Sequence, residues 1–225
     1  MKNSTKEIIN EINTYRDESK AAFLPRFFKT GKGEYGEGDQ FIGVVVPNLR
    51  VVAKKHFDAD FDTLRELLAS PYHEYRLTAL LALTYRYAKF KDLASREACV
   101  NFYVSQVDAI NNWDLVDLSC YKILGHWLFD KDKQLLYDWA KEDHLWKQRI
   151  AMITCMHFVK QGEFKDALAI ADLLQHHPHD LIHKAVGWIL REIGKENEQL
   201  LVDYLTPRYK EMPRTMLRYA IERFE

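Results

Sequence analysis

The chain has few of the residues that mark secreted, membrane or thiol-dependent proteins. It contains three cysteines in 225 residues, Cys99, Cys120 and Cys155, each far from the others in an apolar stretch. An odd and scattered set gives no disulfide framework, so we expect reduced, buried thiols. No apolar run approaches the roughly 18 residues that a membrane helix needs. The polar residues 1–5 contain no secretory signal. These absences predict a cytoplasmic protein that binds no membrane.

Charge of one sign is also scarce, because the formal net charge is only −1. The overall balance therefore gives no hint of a polyanionic partner, and any binding surface must be local. Residues 20–55 contain seven basic and three acidic residues, and residues 86–96 contain four basic residues beside Asp92. A basic stripe on a neutral protein is compatible with this distribution. The 47% hydrophobic and 29% charged content is that of an ordinary globular chain with a continuous core.

Nearly every segment has apolar residues at the spacing of a helix. Ser4 and Glu7 form a capping box before the first helix, and Pro213 suits the first turn of a last helix that reaches Phe224. Between them we predict helices at residues 61–69, 73–87, 96–110, 112–129, 131–141, 144–160, 164–175, 180–193 and 196–205. The only β-like run is residues 44–46, which Pro47 follows at once.

The helices recur in pairs. A polar or aromatic anchor opens one helix of each pair, at Arg76, Trp113, Arg149, Lys184 and Arg218, with intervals of 37, 36, 35 and 34 residues. Intervals in the thirties are typical of stacked helical hairpins. We therefore predict an all-α superhelical solenoid of hairpin repeats with a concave face, forming a single domain over residues 1–225. A plain helical bundle with accidental spacing is the alternative.

Two other patterns carry little weight. Residues 31–36 match G-x-G-x-x-G, but that motif needs a preceding strand and a following helix, and both are absent from the prediction. A surface loop is expected there. Residues 176–183 contain four histidines, of which His179 and His183 have ligand spacing. Because no acidic or cysteine partner has clear spacing and a proline interrupts the cluster, we predict no metal site.

The most informative turn of the chain contains Trp113 and Asp117. They are four residues apart, so an indole and a carboxylate lie on one helix face. Two later segments, around Arg149 and around Trp188 and Arg191, carry side chains that could face the same space. An aromatic box with one carboxylate and an arginine suits a reaction that builds positive charge on its substrate.

At these residues the chain resembles the bacterial AlkD-type DNA glycosylases, the DNA alkylation repair proteins. The motifs are NWDLVD at residues 112–117, LWKQR at 145–149 and KAVGWILRE at 184–192, followed by RTMLRYAIE at 214–222 for the closing helix. The resemblance covers essentially the whole chain. It implies HEAT-like repeats that wrap duplex DNA in a concave face, working as a monomer without a cofactor. It also implies excision of purines alkylated at the 3- or 7-position.

The resemblance assigns roles to particular residues. Asp117 would stabilise the sugar cation and position water, and Trp113 and Trp188 would pack against the sugar. The residues expected to contact the DNA backbone are Arg149, Arg191 and Phe27, and the repeat pattern adds Lys184 and Arg218. Phe27 stands where the family archetype has a tyrosine, so the hydrogen bond of that hydroxyl is lost.

Each of these residues also has a structural interpretation. Tryptophans on amphipathic helices usually fill the core, and arginines often form surface ion pairs. Asp114, near a helix start, is interpreted as structural. A non-catalytic HEAT-like scaffold that binds DNA or protein is the alternative to the enzyme.

Overall fold

The computed structural model describes residues 4–224, and these residues confirm the all-α prediction. They contain no β-strand, and their only β-type pairing is an isolated bridge between Gln40 and Tyr72. No helix in this part of the chain combines the length and apolar character needed to cross a membrane. The chain divides into two compact units, residues 1–119 and residues 120–225, which we call the N-terminal and C-terminal units.

The N-terminal unit contains eight α-helices within its described residues. They are α1 (Thr5–Asn13), α2 (Glu18–Phe23), α3 (Pro25–Phe28), α4 (Val46–Lys55), α5 (Phe61–Leu68), α6 (His73–Lys89), α7 (Leu93–Ser105) and α8 (Trp113–Asp117). A 3-10 turn, Val107–Ala109, precedes α8. Helix starts carry the expected side-chain caps: Ser4, Asp17, Asp60 and Asp92 each accept a hydrogen bond from a backbone N–H of the first turn.

Helix α6 is the centre of the N-terminal unit. It packs against α4, α5, α7 and α8. Its residues from His73 to Thr84 are all buried, because alanines, leucines and two threonines cover every face of this part of the helix. Polar residues at its start, including His73 and Arg76, are therefore buried as well and must find partners inside the protein.

Residues 44–46, the β-like run, lead into a helix and form no strand. Val45 is the extended N-cap of α4, and Pro47 lies in its first turn, where the missing N–H of proline costs nothing. The preceding segment is held by the buried carboxylate of Glu74. Its Oε1 accepts hydrogen bonds from the backbone N–H groups of Ile42, Gly43 and Val44 at 3.0, 2.8 and 3.3 Å.

The C-terminal unit contains seven α-helices within its described residues. They are α9 (His126–Leu128), α10 (Gln134–Lys141), α11 (Leu145–Lys160), α12 (Lys165–Leu174), α13 (Asp180–Glu196), α14 (Glu198–Leu205) and α15 (Arg214–Ala220). Helices α11, α13 and α15 form a row with α13 in the middle, because α13 packs against both of the others. Helices α11 and α13 each follow a shorter helix, α10 and α12, and α15 follows α14, which is of similar length, as expected for successive helical hairpins.

The helix predicted at residues 112–129 is divided in the structure. Helix α8 ends at Asp117, a π-helix spans Tyr121–Gly125, and α9 follows directly. Gly125 lies against α11, where an added Cβ would come within 2.6 Å of the His157 Cβ and 2.8 Å of the Thr154 carbonyl oxygen. The close approach requires a residue without a side chain at this position.

Candidate active site

Trp113 and Asp117 are the first and last residues of α8, as the i, i+4 spacing predicts. Asn112 caps the helix and accepts a hydrogen bond from the Trp113 N–H at 2.9 Å. The carboxylate of Asp117 lies at the margin of the core, with 9% of the residue exposed, and the indole of Trp113 is half-buried. The turn therefore places one ring and one carboxylate on the same side of a short helix.

The indole of Trp113 is held by an aromatic cluster. It stacks on Phe28 of α3, with ring centroids 5.3 Å apart and planes 9° apart. Phe28 also contacts Phe41, at 5.0 Å. The neighbouring Phe27 points elsewhere: it is 55% exposed and meets Phe23 edge to face at 5.2 Å. Of the two adjacent phenylalanines, Phe28 supports Trp113, and Phe27 is largely exposed.

A buried polar network lies under the first turn of α8. His73 bridges two carboxylates, with Nε2 2.8 Å from Asp114 and Nδ1 3.2 Å from Asp39. Arg76 donates to Asp39 at 2.5 Å and to the Asn111 side-chain oxygen at 2.6 Å. Asp114 thus has the structural role that was predicted. Besides its place in the first turn of α8, it forms a hydrogen bond with a histidine of α6.

The network shifts the pKa values of its members. Burial by itself would lower the pKa of His73, but the carboxylates of Asp114 and Asp39 outweigh it and raise that pKa from 6.5 to about 9. Burial would raise the pKa of Asp39, but the hydrogen bond from His73 and the charge of Arg76 hold it below its ordinary value. His73 is therefore an imidazolium at neutral pH and donates from both ring nitrogens.

In the C-terminal unit, one face of α13 carries three of the predicted residues. Lys184, Trp188 and Arg191 follow each other at intervals of four and three residues, so they lie in one row on the helix. Trp188 is half-buried, as is Trp113 in its own unit. Lys184 pairs with Asp180 at 2.7 Å, and Arg191 pairs with Glu222 of the segment after α15. The predicted DNA contacts of this row therefore have acidic partners in the free protein.

Gly187, next to Trp188, allows α15 to approach this row. A Cβ at Gly187 would lie 2.5 Å from both the Met216 carbonyl oxygen and the Tyr219 Cβ. Arg218 on α15 is exposed and extends over the Tyr219 ring, with 5.9 Å between its guanidinium carbon and the ring centroid. Its guanidinium is thus open to an external anion.

Arg149 is far less accessible. It lies on α11 with 4% exposure and donates from Nη1 to the Leu181 carbonyl oxygen at 2.5 Å. This bond joins α11 to the first turn of α13. Arg149 thus has a structural contact that its predicted role at a phosphate does not include. The convergence of Arg149 and Trp188 with Trp113 and Asp117 stays a prediction of the sequence.

The discounted patterns have ordinary structures. Residues 31–36 form turns between α3 and α4 with no adjoining strand in the described chain. In the histidine cluster, His179 Nδ1 accepts from the Leu181 N–H at 3.1 Å, and His183 Nε2 donates to the His177 carbonyl oxygen at 2.5 Å. Within residues 4–224 no three His, Cys, Asp or Glu side chains are grouped to hold a metal ion. The three cysteines are buried.

The sequence did not reveal Phe28, Asp39 or His73 as part of the site. His73 lies 34 residues from Asp39 and 41 from Asp114, so no local spacing links them. A partial signal exists: a histidine and an arginine at the start of an otherwise apolar helix need buried partners.

Sequence and fold both relate this chain to known proteins. The family model described as DNA alkylation repair enzyme matches residues 8–224. A solved structure described as a predicted DNA alkylation repair enzyme from Enterococcus faecalis superposes with a TM-score of 0.70, covering 93% of this chain and 96% of that one. Its sequence identity is 15%, so this likeness concerns the fold. Among curated proteins, none matches the sequence significantly.

Proposed function

Because the chain belongs to the DNA alkylation repair enzyme family, we propose that it is a DNA glycosylase. It would hydrolyse the N-glycosidic bond of cationic purines alkylated at N3 or N7 in duplex DNA. The observation that carries the proposal is the turn of α8, where a half-buried indole and a carboxylate at the core margin share one helix face.

The chemistry needs only one carboxylate. Alkylation of a purine ring nitrogen makes the base a cationic leaving group, which departs without the general acid of ordinary glycosidases. Departure leaves positive charge on the deoxyribose. Asp117 stabilises that charge and positions the attacking water. The base leaves as a neutral purine with the bonding electron pair. Water adds its hydroxyl to the sugar and gives up its other proton to solvent by way of Asp117, so the product is an abasic site.

The tryptophans contribute less electrostatic stabilisation of the transition state than Asp117 does. A cation over an aromatic face is worth about 0.5–2 kcal/mol, and a tenfold rate change needs about 1.4 kcal/mol. Trp113 and Trp188 would therefore mainly shape the space around the sugar. The lesion would stay stacked in the duplex, so the protein contacts the sugar and backbone and does not extrude the base.

The basic residues would hold the DNA backbone. Arg191 and Lys184 share a face with Trp188, and Arg218 has an exposed guanidinium on the adjoining α15. Phosphate contacts fix register without reading bases, which suits an enzyme directed at lesions in any sequence. Arg149, although only 4% exposed in the free protein, would contribute a contact to a phosphate near the lesion, and Phe27 a ring contact. We further propose that the protein acts as a cytoplasmic monomer with one domain of HEAT-like repeats.

The test is base release from methylated duplex DNA. With the wild type, chromatography should detect free 3-methyladenine or 7-methylguanine, and an equal number of abasic sites should form. With Asp117→Asn, little free base should appear. Equal release by both proteins would remove Asp117 from the mechanism. Binding to the duplex without release by either would favour the non-catalytic scaffold.

A further inference from the structure

His73 has no part in the proposed chemistry, yet it contacts two residues that hold the first turn of α8 in place, Asp114 and Phe28. Its Nε2 lies 2.8 Å from the carboxylate of Asp114, the residue after Trp113. Its ring lies 4.6 Å from the Phe28 ring, and Phe28 in turn stacks on the Trp113 indole. The imidazole is therefore linked to Trp113 in two ways. It bonds Asp114, the next residue in the helix, and it contacts Phe28, whose ring stacks on the indole.

The charges of this cluster are balanced only when His73 is protonated. Asp39 and Asp114 each carry one negative charge, and Arg76 and His73 one positive charge each. Their side chains are between 3% and 7% exposed. Loss of the His73 proton leaves a net negative charge in a buried site and removes one of two hydrogen bonds to the carboxylates. An uncompensated buried charge is strongly unfavourable.

We propose that protonated His73 is a positioning residue that holds the Trp113 indole in its working orientation. This inference rests on the proposed function for its meaning in catalysis, but the structural claim concerns only the orientation of the Trp113 indole. When His73 loses its proton, the bond to Asp114 or to Asp39 weakens, the first turn of α8 relaxes and the Phe28–Trp113 stack shifts.

The pH at which this happens follows from the environment of His73. Asp39 from the loop, Asp114 from α8 and Arg76 from its own helix face the ring, and the charge of His73 also acts on Glu74. The carboxylates raise the pKa of His73 to about 9. The positioning is thus complete at neutral pH and is lost as the pH rises through about 9.

The test uses ¹⁹F NMR of the full chain labelled with 5-fluorotryptophan. The chain has five tryptophans, and Trp113→Phe assigns the resonance of Trp113. In the wild type this resonance should move with a midpoint near pH 9. In His73→Gln it should be displaced already at pH 7 and should not titrate. His56→Gln is the matched control, since His56 is buried and paired with Glu11 at 2.7 Å without contact to Trp113.

Two further measurements complete the test. Adding Asp114→Asn to His73→Gln restores the charge balance and should recover stability lost in the single variant. In base release, His73→Gln should lower the rate on bound DNA by about tenfold or more while affinity for DNA stays within about twofold, as expected of misplacement. A Trp113 resonance indifferent to both pH and His73→Gln overturns the inference, and the wild-type titration decides this even if the variant does not fold. A wild type that releases no base refutes the proposed function, while the ¹⁹F titration still tests the role of His73.

Discussion

The Phe28 ring lies parallel to the Trp113 indole, 5.3 Å away and tilted by only 9°. Phe28 is buried and Trp113 is half-buried, so the inner ring supports the outer one. One face of the indole is occupied by the protein. The support comes from α3, 85 residues earlier in the chain, and it makes the orientation of Trp113 depend on the packing of the N-terminal unit.

Removal of the Phe28 ring should destabilise the protein and disturb Trp113. We expect Phe28→Ala to cost about 3–5 kcal/mol, the usual range for a buried phenylalanine, and Phe28→Leu clearly less. Urea unfolding measures both values. Phe23→Ala is the control, because Phe23 is 49% exposed and should change stability by about 0.5 kcal/mol or less. Equal effects of Phe28→Ala and Phe23→Ala would contradict the supporting role of Phe28.

Two glycines of α13 should respond oppositely to alanine. At Gly187 a Cβ meets backbone and Cβ atoms of α15 at 2.5 Å, whereas at Gly194 the nearest atom is the end of the Leu201 side chain. Gly187→Ala should destabilise by about 1–3 kcal/mol. Gly194→Ala should be neutral or stabilising, because alanine favours a helix by up to about 1 kcal/mol. Thermal unfolding compares the two, and a harmless Gly187→Ala would show that α15 is not packed closely there.

Glu74 should make stability depend on pH. Burial raises its pKa above the ordinary 4.5 despite the three backbone N–H groups that it binds. The folded protein then holds this proton more tightly than the unfolded chain, so stability declines as the pH rises from the unfolded pKa through the folded one. The difference in unfolding free energy between the wild type and Glu74→Gln isolates this decline.

In the same series, Glu74→Leu should cost on the order of 3 kcal/mol, because it leaves the three N–H groups without an acceptor. Glu74→Gln keeps one oxygen and should cost less. The unfolding free energy of the wild type minus that of Glu74→Gln should fall between about pH 4 and pH 7. If this difference stays constant or rises, the pKa of Glu74 is not raised.

Arg218 should contribute to DNA binding through its charge. If it contacts a phosphate, Arg218→Ala weakens binding to any duplex and reduces the slope of log affinity against log salt by about one. Arg218→Lys should keep the slope. Fluorescence anisotropy at several salt concentrations gives these values, with exposed Lys165→Ala as the control. A slope unchanged in Arg218→Ala would place Arg218 outside the DNA interface.

Much of the fold was predictable because helix periodicity and caps are local. The all-α class, the helix starts at Phe61, His73 and Asp180, and the cap at Ser4 agree with the structure. The family resemblance, which depended on three short motifs, is confirmed by the match over residues 8–224. Helices α2, α3 and α4 were missed, because they are short or begin with a proline beside β-branched residues, which suggested a loop or a strand.

The candidate site was predictable only in part. The spacing of Trp113 and Asp117 needs nothing beyond one helical turn, and the structure has it. The network of His73, Asp39 and Asp114 joins three separate segments, so only tertiary packing reveals it. The burial of Arg149 was also not predicted. Helix α11 is apolar on nearly all faces, so it is buried on nearly all sides and its polar residues are buried with it.

The most direct test of the account is the single-turnover rate of base release from a duplex that contains one 7-methylguanine. Saturating protein removes differences in affinity, so the rate reports the chemical step alone. The account predicts that Asp117→Asn lowers this rate by about 100-fold or more, the scale of a lost electrostatic contact at the transition state, while Asp203→Asn, a surface control on α14, leaves it unchanged. A rate for Asp117→Asn equal to that of the wild type would contradict the central claim that this carboxylate stabilises the sugar cation as the base departs.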